Sequence, residues 1–287
     1  MAIDNFKPTI WANEALLALK KRHVFPGLVN TDYQGQITAM GDTVKINGIG
    51  ALTIGTDSRS ISYEDLTDNT RSLLIDQERT FAFKIDDVDD AQSNPNLMQT
   101  AMGEAAYGLA DATDAYLAGL VTDAGIKGAA AGLGVAGSPL ELSSQGVLSL
   151  LSNLNKLMSE NNVPTEGRSI ILPPWAIEKL NIQSLYMGFN TTKNEEIIQN
   201  GYVGSFYGFN VFMSNNVATD DPASPTEWYI PAFTRPAISF AEQIASVEAM
   251  RLESSFSDAV RGLHLFGAKV VRPEALAMVV AVPGAEA

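Results

Sequence analysis

The segment Asn194 to Val217, NEEIIQNGYVGSFYGFNVFMSNNV, combines three closely spaced glycines with aromatic and β-branched residues. Gly201, Gly204 and Gly208 fall where a chain must turn tightly or admit another backbone, which a residue with a Cβ does poorly. The residues between and after them favour a pleated, half-buried sheet rather than a reaction cleft. The segment therefore predicts a short helix joined to a tight β element, and alone it fits a β-hairpin in any α+β domain.

Two further blocks flank this segment. Upstream, Val163 to Leu180 predicts a turn, a β-run from Ser169 to Leu172, and a helix that Pro173 and Pro174 open at Trp175. Downstream, Asp258 to Val280 predicts two strand-like runs. The breaks in these runs are expected at Gly262, Gly267 and Pro273.

The stretch from Tyr33 to about Asp86 alternates apolar and polar residues with a period of two, as in a solvated antiparallel ribbon. Its middle, Gly55 to Thr70, is rich in Asp, Ser and Thr and offers little to bury. Because a two-stranded ribbon is barely stable alone, its apolar face needs a partner. That partner is either the core of the same chain or a neighbouring subunit.

Three helices are predicted from apolar periodicity. Thr9 to His23 is a short amphipathic helix whose Lys20, Lys21 and Arg22 suit its C-terminal end, with a contact to DNA or a scaffold as the alternative role. Asn94 to Asp123 predicts a helix of roughly 40 Å. Ser143 to Asn161 predicts another amphipathic helix. Between the last two, the small residues of Gly125 to Gly137 predict a linker and a domain boundary.

The composition limits the classes of function. Only 18% of the 287 residues are charged, which fits either a well-buried monomer or a subunit hidden against its own copies. The net charge of −14 argues against binding DNA through phosphate neutralisation. There are no cysteines for disulfides or thiol chemistry. The start MAIDNFKP lacks a signal sequence and the longest apolar stretch, Ala275 to Val282, is too short to cross a bilayer, so we expect a soluble, unexported protein.

Three segments resemble catalytic or metal-binding patterns but lack the context that such sites require. Gly132 to Gly137 matches GxGxxG, but neither a buried strand before it nor a helix starting within it is predicted, as dinucleotide binding requires. The acidic cluster Asp86 to Asp90 lacks the glycine and closing Glu of a calcium loop. His23 and His264 are far apart and fit a helix end and a strand better than a metal site. We therefore predict no catalytic, cofactor or metal residues.

The ribbon, the long helix and the three blocks, in this order, resemble the major capsid proteins of tailed double-stranded DNA phages, which have the Hong Kong 97 type capsid fold. The resemblance covers most of the chain and implies an α+β fold. It further implies an N-terminal arm at residues 1–32, the ribbon at 33–85 as the extended β-hairpin loop, and the long helix as the spine helix. The peripheral domain would comprise residues 86–124 and 241–287, and the axial domain residues 125–240.

The same resemblance implies a structural role in the virion capsid, assembled in the host cytoplasm. Subunits would form hexamers and pentamers of an icosahedral head around double-stranded DNA, without sequence-specific DNA binding. A portal, a separate scaffolding protein and optionally a decoration protein would be the other partners, because the chain starts too close to its first helix to hold a long scaffolding segment. The candidate inter-subunit contacts are Trp11, Arg59, Tyr63, Arg71 and Glu78.

Some capsid proteins of this type join a lysine on the extended loop to an asparagine in the C-terminal part of a neighbour. Lys45 and Lys84 could supply the lysine, but no asparagine follows Asn216, so we predict no self-cross-linking. Two alternatives remain open on sequence. One is an encapsulin-type shell, which shares the fold but holds enzyme cargo, and the other is an acidic α+β enzyme or binding protein.

Overall fold

The chain forms an α+β structure, and the computed structural model describes residues 23–32, 43–49, 68–86, 97–186, 202–251 and 257–285. The α-helices of these residues are α1 (Leu97–Gly119), α2 (Ser144–Glu160) and α3 (Pro174–Tyr186). Their strands are β1 (Thr43–Ile49), β2 (Asp68–Leu74), β3 (Gln77–Asp86), β4 (Leu140–Leu142), β5 (Arg168–Leu172), β6 (Tyr202–Phe206), β7 (Phe209–Met213), β8 (Ala218–Thr219), β9 (Trp228–Thr234), β10 (Ile238–Arg251), β11 (Ser257–Val270) and β12 (Leu276–Pro283).

The main core lies around a seven-stranded mixed sheet of order β4-β12-β9-β5-β7-β6, with β8 beside β9. Every residue of β5 is buried, as expected for a central strand covered on both faces. The β-run and the helix that Pro173 and Pro174 open are thus confirmed as β5 and α3. Helix α2 and helix α3 pack against each other over this core.

The glycine-punctuated segment forms the edge hairpin β6–β7 of this sheet. The register shifts by one residue between Tyr202 and Gly204, so Gly204 lies at a bulge. Tyr207 and Gly208 form the two-residue turn with φ angles of 48° and 81°, the left-handed conformation that suits a tight hairpin. The predicted tight β element is confirmed, while the helix predicted at its start lies outside the described residues.

Helix α2 shows how local sequence sets an element of the core. The Ser143 side chain caps it by accepting a hydrogen bond from the Gly146 N–H at 3.2 Å. Asn162, with a φ of 58°, turns the chain out of the helix at its other end. The predicted apolar face is buried, through Val147, Leu150, Leu151, Leu154 and Met158.

The small-residue segment 125–137 does not bridge open space but lies along β12. Ile126 forms a β-bridge with Ala277, and the Val280 N–H donates to the Leu133 carbonyl oxygen at 2.8 Å. Gly134 is left-handed at a φ of 69°, and a Cβ there would overlap the Val280 carbonyl oxygen. The small residues therefore allow close backbone contact, which is a packing role that the linker interpretation missed.

The second sheet has three strands in the order β10-β11-β3, all antiparallel. Strands β10 and β11 have 14 residues each, and β11 runs without interruption through Gly262 and Gly267. The prediction that these glycines break the strand is wrong, whereas the break at Pro273 is confirmed by a 3-10 turn at Pro273–Ala275. The Phe81 ring covers Gly262 so closely that a Cβ there would force the ring to move, which explains a glycine inside a strand.

Helix α1 connects the two sheets and confirms the predicted long helix. It spans about 35 Å over its 23 residues and continues as a 3-10 turn to Asp123. Tyr116 of α1 meets Phe266 of β11 edge to face, with ring centroids 5.4 Å apart. Residues 23–32, which we call the strap, cross α1 and reach β10, where Asn30 forms a β-bridge with Ser239.

Candidate inter-subunit surface

The hairpin of β1 and β2 stands apart from both larger sheets. Seven residue pairs join its strands, from Thr43 opposite Leu74 to Ile49 opposite Asp68. Within the described part of the chain it forms its own two-stranded sheet. Among the described residues, it meets the three-stranded sheet at its base, where a small second core forms. This core consists of Leu73, Ile75, Ala241 and Leu265, with Ile46 and Leu263 packed against it.

Close backbone contact fixes the hairpin base. A Cβ on Gly267 would overlap the Leu74 carbonyl oxygen and lie 3.0 Å from the Ile75 Cα, so only glycine lets β2 approach this far. Nearby, the Arg71 guanidinium donates to the Val270 carbonyl oxygen at 3.4 Å. The hairpin therefore leaves the sheet from a defined point.

The outer half of the three-stranded sheet exposes apolar side chains. Val247 and Met250 of β10 are 52% and 38% exposed, and residues 247–251 are exposed without a break. Charged pairs lie among them, with Glu248 accepting from the Arg261 guanidinium at 2.5 and 2.9 Å. A surface hollow of about 320 Å³ opens at this end, lined by Ala82, Phe83, Lys84, Met250, Ala259, Val260 and Arg261. Such an apolar patch with a charged rim is typical of a protein interface.

Two of the predicted contact residues fall in this region. Arg71 lies in β2 and is half-buried at the hairpin base. Glu78 lies in β3, opposite Leu265 of β11, and is exposed. The two residues reach β11 at different points, Val270 and Leu265, so they do not form one cluster. Trp11, Arg59 and Tyr63 lie outside the described residues.

Buried charges that the sequence interpretation missed serve the fold. Arg168 is fully buried and donates to the carbonyl oxygens of Pro164, Asn155 and Val163 at 2.8, 3.2 and 2.6 Å. Further bonds reach the Asn155 side chain and the Ser159 hydroxyl. Burial lowers the pKa of this guanidinium below its usual value. Arg168 thus ties the C-terminal turn of α2 to β5, a position where a cation is favoured.

Asp114 is a second buried charge, fully enclosed on α1. Its carboxylate accepts from the backbone N–H groups of Val24 and Phe25 at 3.0 and 2.9 Å and from the Asn216 amide at 3.0 Å. Burial raises the pKa of Asp114 above 3.8, although these hydrogen bonds and the nearby His23 act in the opposite direction. No periodic or motif signal singled it out, because its partners are 89 to 102 residues away in sequence.

The two histidines and the GxGxxG segment occupy positions that the fold explains. His264 is a buried strand residue, 3.4 Å from the Glu242 carboxylate, and His23 lies 3.7 Å from Asp111. The residues after Gly137 enter β4 rather than a helix. Among the described residues, no three histidines or carboxylates lie close enough to hold a metal ion. None of the helices described here is both long and apolar enough to cross a membrane.

Comparison with solved structures finds the same architecture in phage particles. A structure from Mycobacterium phage Che8 matches with a TM-score of 0.76 and 28% identity, over 97% of this chain and 98% of that one. The capsid of cyanophage P-SCSP1u matches at 0.71 and 17% identity, over 95% and 92% of the two chains. The capsid of Ralstonia phage GP4 matches at 0.67 and 14%, over 99% and 98%. The predicted Hong Kong 97 type fold is thereby confirmed.

Sequence comparison gives the family. A search of curated proteins returned no significant match. Residues 73–279 match the family described as phage capsid protein, so the match runs from the end of β2 to β12 and includes both sheets. Together with the structural matches this supports a structural role in the virion capsid. The chain belongs to the phage capsid protein family and is a major capsid protein of a tailed phage.

Proposed function

We propose that copies of this chain assemble as hexamers and pentamers into an icosahedral head that encloses double-stranded DNA. The observation that carries this proposal is the β1–β2 hairpin, whose strands pair only with each other among the described residues. A two-stranded ribbon in water is marginally stable. Since the described residues pack the hairpin on its own sheet at its base alone, a neighbouring copy is the natural partner for the rest.

The exposed outer half of the three-stranded sheet supports the same assignment. Val247 and Met250 leave apolar area in water, at an edge strand that would otherwise promote aggregation. If another copy covers this edge, the apolar area is removed from water and the edge strand no longer promotes aggregation. Many such modest contacts, repeated over a closed lattice, give a stable shell without any single strong one.

We assign the parts of the subunit as follows. Residues 1–32 form the N-terminal arm and residues 33–85 the extended loop. Residues 86–124 and 241–287 form the peripheral domain with α1 as spine helix, and residues 125–240 the axial domain at the capsomer centre. Trp11, Arg59, Tyr63, Arg71 and Glu78 are its candidate contacts to neighbours.

The role we propose is structural rather than enzymatic. The two fully buried charges, Arg168 and Asp114, bind main-chain groups and neighbouring side chains of the fold. The net charge of −14 suits a wall that encloses DNA without gripping it. A portal, a separate scaffolding protein and optionally a decoration protein complete the set of partners, and the subunits remain without covalent cross-links.

Sedimentation velocity of the purified protein tests self-assembly. We expect species at least as large as a pentamer, formed at the expense of monomer as the protein concentration rises. A single monomeric species at every concentration would argue against the proposal. The contents of assembled particles, DNA or enzyme cargo, separate a phage head from an encapsulin-type shell.

A further inference from the structure

The strap enters the fold at a buried polar junction of three elements. Asp114 of α1 accepts from the strap at Val24 and Phe25, and from Asn216 in the connection between β7 and β8. The Asn216 amide also donates to Asp111, one helical turn before Asp114, at 2.7 Å. The Asp114 carboxylate therefore links three parts of the subunit: the strap, helix α1 and the β7–β8 connection of the seven-stranded sheet.

The strap is held at a second point. The Asn30 N–H donates to the Ile238 carbonyl oxygen at 2.9 Å, and the Phe240 N–H donates to the Asn30 carbonyl oxygen at 2.8 Å. Phe25 at the first anchor and Val29 just before the second are each 1% exposed. The strap is thus fixed at both ends, and its first anchor is the Asp114 junction.

A carboxylate is unusual at a fully buried position such as that of Asp114. Burying a charge is costly unless several donors satisfy it, and here two backbone N–H groups and one amide do so. Apart from replacement by proline, no substitution in the strap removes a backbone N–H donor. Asp114 therefore sets the position of the strap backbone largely independently of which side chains the strap carries.

We infer that Asp114 is a positioning residue: its junction with Val24, Phe25 and Asn216 fixes where the strap enters the subunit, and a subunit whose strap is loose assembles poorly with neighbouring copies. The junction is a property of the single subunit. Its consequence for neighbouring copies rests on the proposed assembly, so the two parts need separate measurements.

Trypsin provides a local readout, because Lys20, Lys21 and Arg22 immediately precede the strap. Cleavage between Arg22 and His23 requires His23, Val24 and Phe25 to enter the protease, and therefore to leave the junction. The cleavage rate then follows the population of the open junction. In wild-type protein we expect slow cleavage at this bond.

The Asp114→Ala variant removes the acceptor of all three hydrogen bonds. We expect cleavage after Arg22 to accelerate at least about ten-fold, with cleavage after Lys127 and Lys156 unchanged. Asp123→Ala, at the exposed end of the same helix, is the matched control and should cleave like wild type. Equal rates in wild type and Asp114→Ala would overturn the inference.

If Asp114→Ala unfolds, all sites will be cleaved faster and the variant will not be informative. Asn216→Ala is the second variant for that outcome. It removes one of the three donors and should still accelerate cleavage after Arg22 selectively; no selective change would overturn the inference. Electron microscopy of Asp114→Ala tests the second part. Selective cleavage together with normal particles would refute the assembly role alone, whereas loss of particles from folded subunits supports it.

Discussion

The carbonyl oxygen of Leu74 lies directly over Gly267, at a distance that leaves no room for a Cβ on residue 267. This contact joins the end of β2 to the interior of β11, 193 residues later in the chain. The small core of Leu73, Ile75 and Leu265 forms around it. The position of the β1–β2 hairpin thus depends on one glycine in the middle of a strand.

Replacement of Gly267 by alanine should lift the hairpin base. The added methyl group overlaps the Leu74 backbone, so we expect a loss of about 1–3 kcal/mol in the free energy of unfolding. Hydrogen exchange should rise in residues 68–75 and stay unchanged in α2. Gly103→Ala is the control, because no atom lies within 4 Å of its Cβ position and alanine favours a helix by about 1 kcal/mol. Unchanged exchange at the hairpin base would refute this role of Gly267.

Replacement of Arg168 by lysine tests the buried guanidinium. Lysine offers a single ammonium in place of the fork that reaches the carbonyl oxygens of Asn155, Pro164 and Val163, so several buried acceptors lose their donors. We expect unfolding in urea to show a loss of about 3 kcal/mol. The exposed Arg235→Lys should stay within about 0.5 kcal/mol of wild type. A loss no larger for Arg168→Lys than for Arg235→Lys would contradict this account.

The pH dependence of stability reports on Asp114. Burial raises its folded-state pKa above the usual 3.8, so the folded subunit takes up this proton at a higher pH than the unfolded chain does. Within that window unfolding releases a proton, and the contribution of Asp114 to stability therefore increases as the pH falls. Asp114→Asn lacks this titration.

We therefore expect the free energy of unfolding of wild type, minus that of Asp114→Asn, to increase as the pH falls from neutral toward 3.8. Urea denaturation of both proteins across this range measures the difference, in which the other titrating groups largely cancel. A difference that falls with decreasing pH would mean that hydrogen bonding outweighs burial and that the folded-state pKa is lowered.

Charge reversal tests the proposed contacts between subunits. Glu78→Lys reverses an exposed charge, and Arg59→Glu reverses a second charge in the sequence of the proposed extended loop, so we expect folded subunits that assemble at least ten-fold less at moderate salt. Circular dichroism checks folding, and sedimentation checks assembly. Glu166→Lys makes the same change in charge as Glu78→Lys, at an exposed turn between α2 and β5, and should assemble normally. Normal particles from both loop variants would remove these residues from the interface.

The absence of covalent cross-links is also testable. Lys45 and Lys84 lie in β1 and β3, and no asparagine follows Asn216 in the 287 residues. We expect mature particles to dissociate into a single band of subunit mass on a denaturing gel. A ladder of covalent oligomers would contradict this prediction.

Periodic elements could be predicted from the sequence, and contacts between distant segments could not. The apolar face between Ser143 and Asn161 and the closely spaced glycines from Gly201 to Gly208 are local signals. They predicted α2 close to its observed bounds and a tight β element where β6–β7 lies. Gly267 was misread as a strand break because the backbone that needs its space comes from β2. Asp114 carried no signal for the same reason, since its partners lie in the strap and beyond β7.

The candidate surface was only partly predictable. Arg71 and Glu78 were placed on the ribbon by alternation alone, and the structure sets them at the hairpin base and on β3. The exposed Val247 and Met250 could not be recognised from sequence. From sequence alone, an apolar residue in a strand is assigned to the core. The structure is needed to show whether its side chain is buried or exposed.

Electron microscopy of the purified, expressed protein tests the central claim most directly. We predict rings of five and six subunits and closed shells in which the β1–β2 hairpin of each subunit lies across a neighbour. Particles formed without any other protein would show that scaffolding is dispensable and would leave the claim intact. A field of stable monomers, at concentrations where related shells would form, would contradict it.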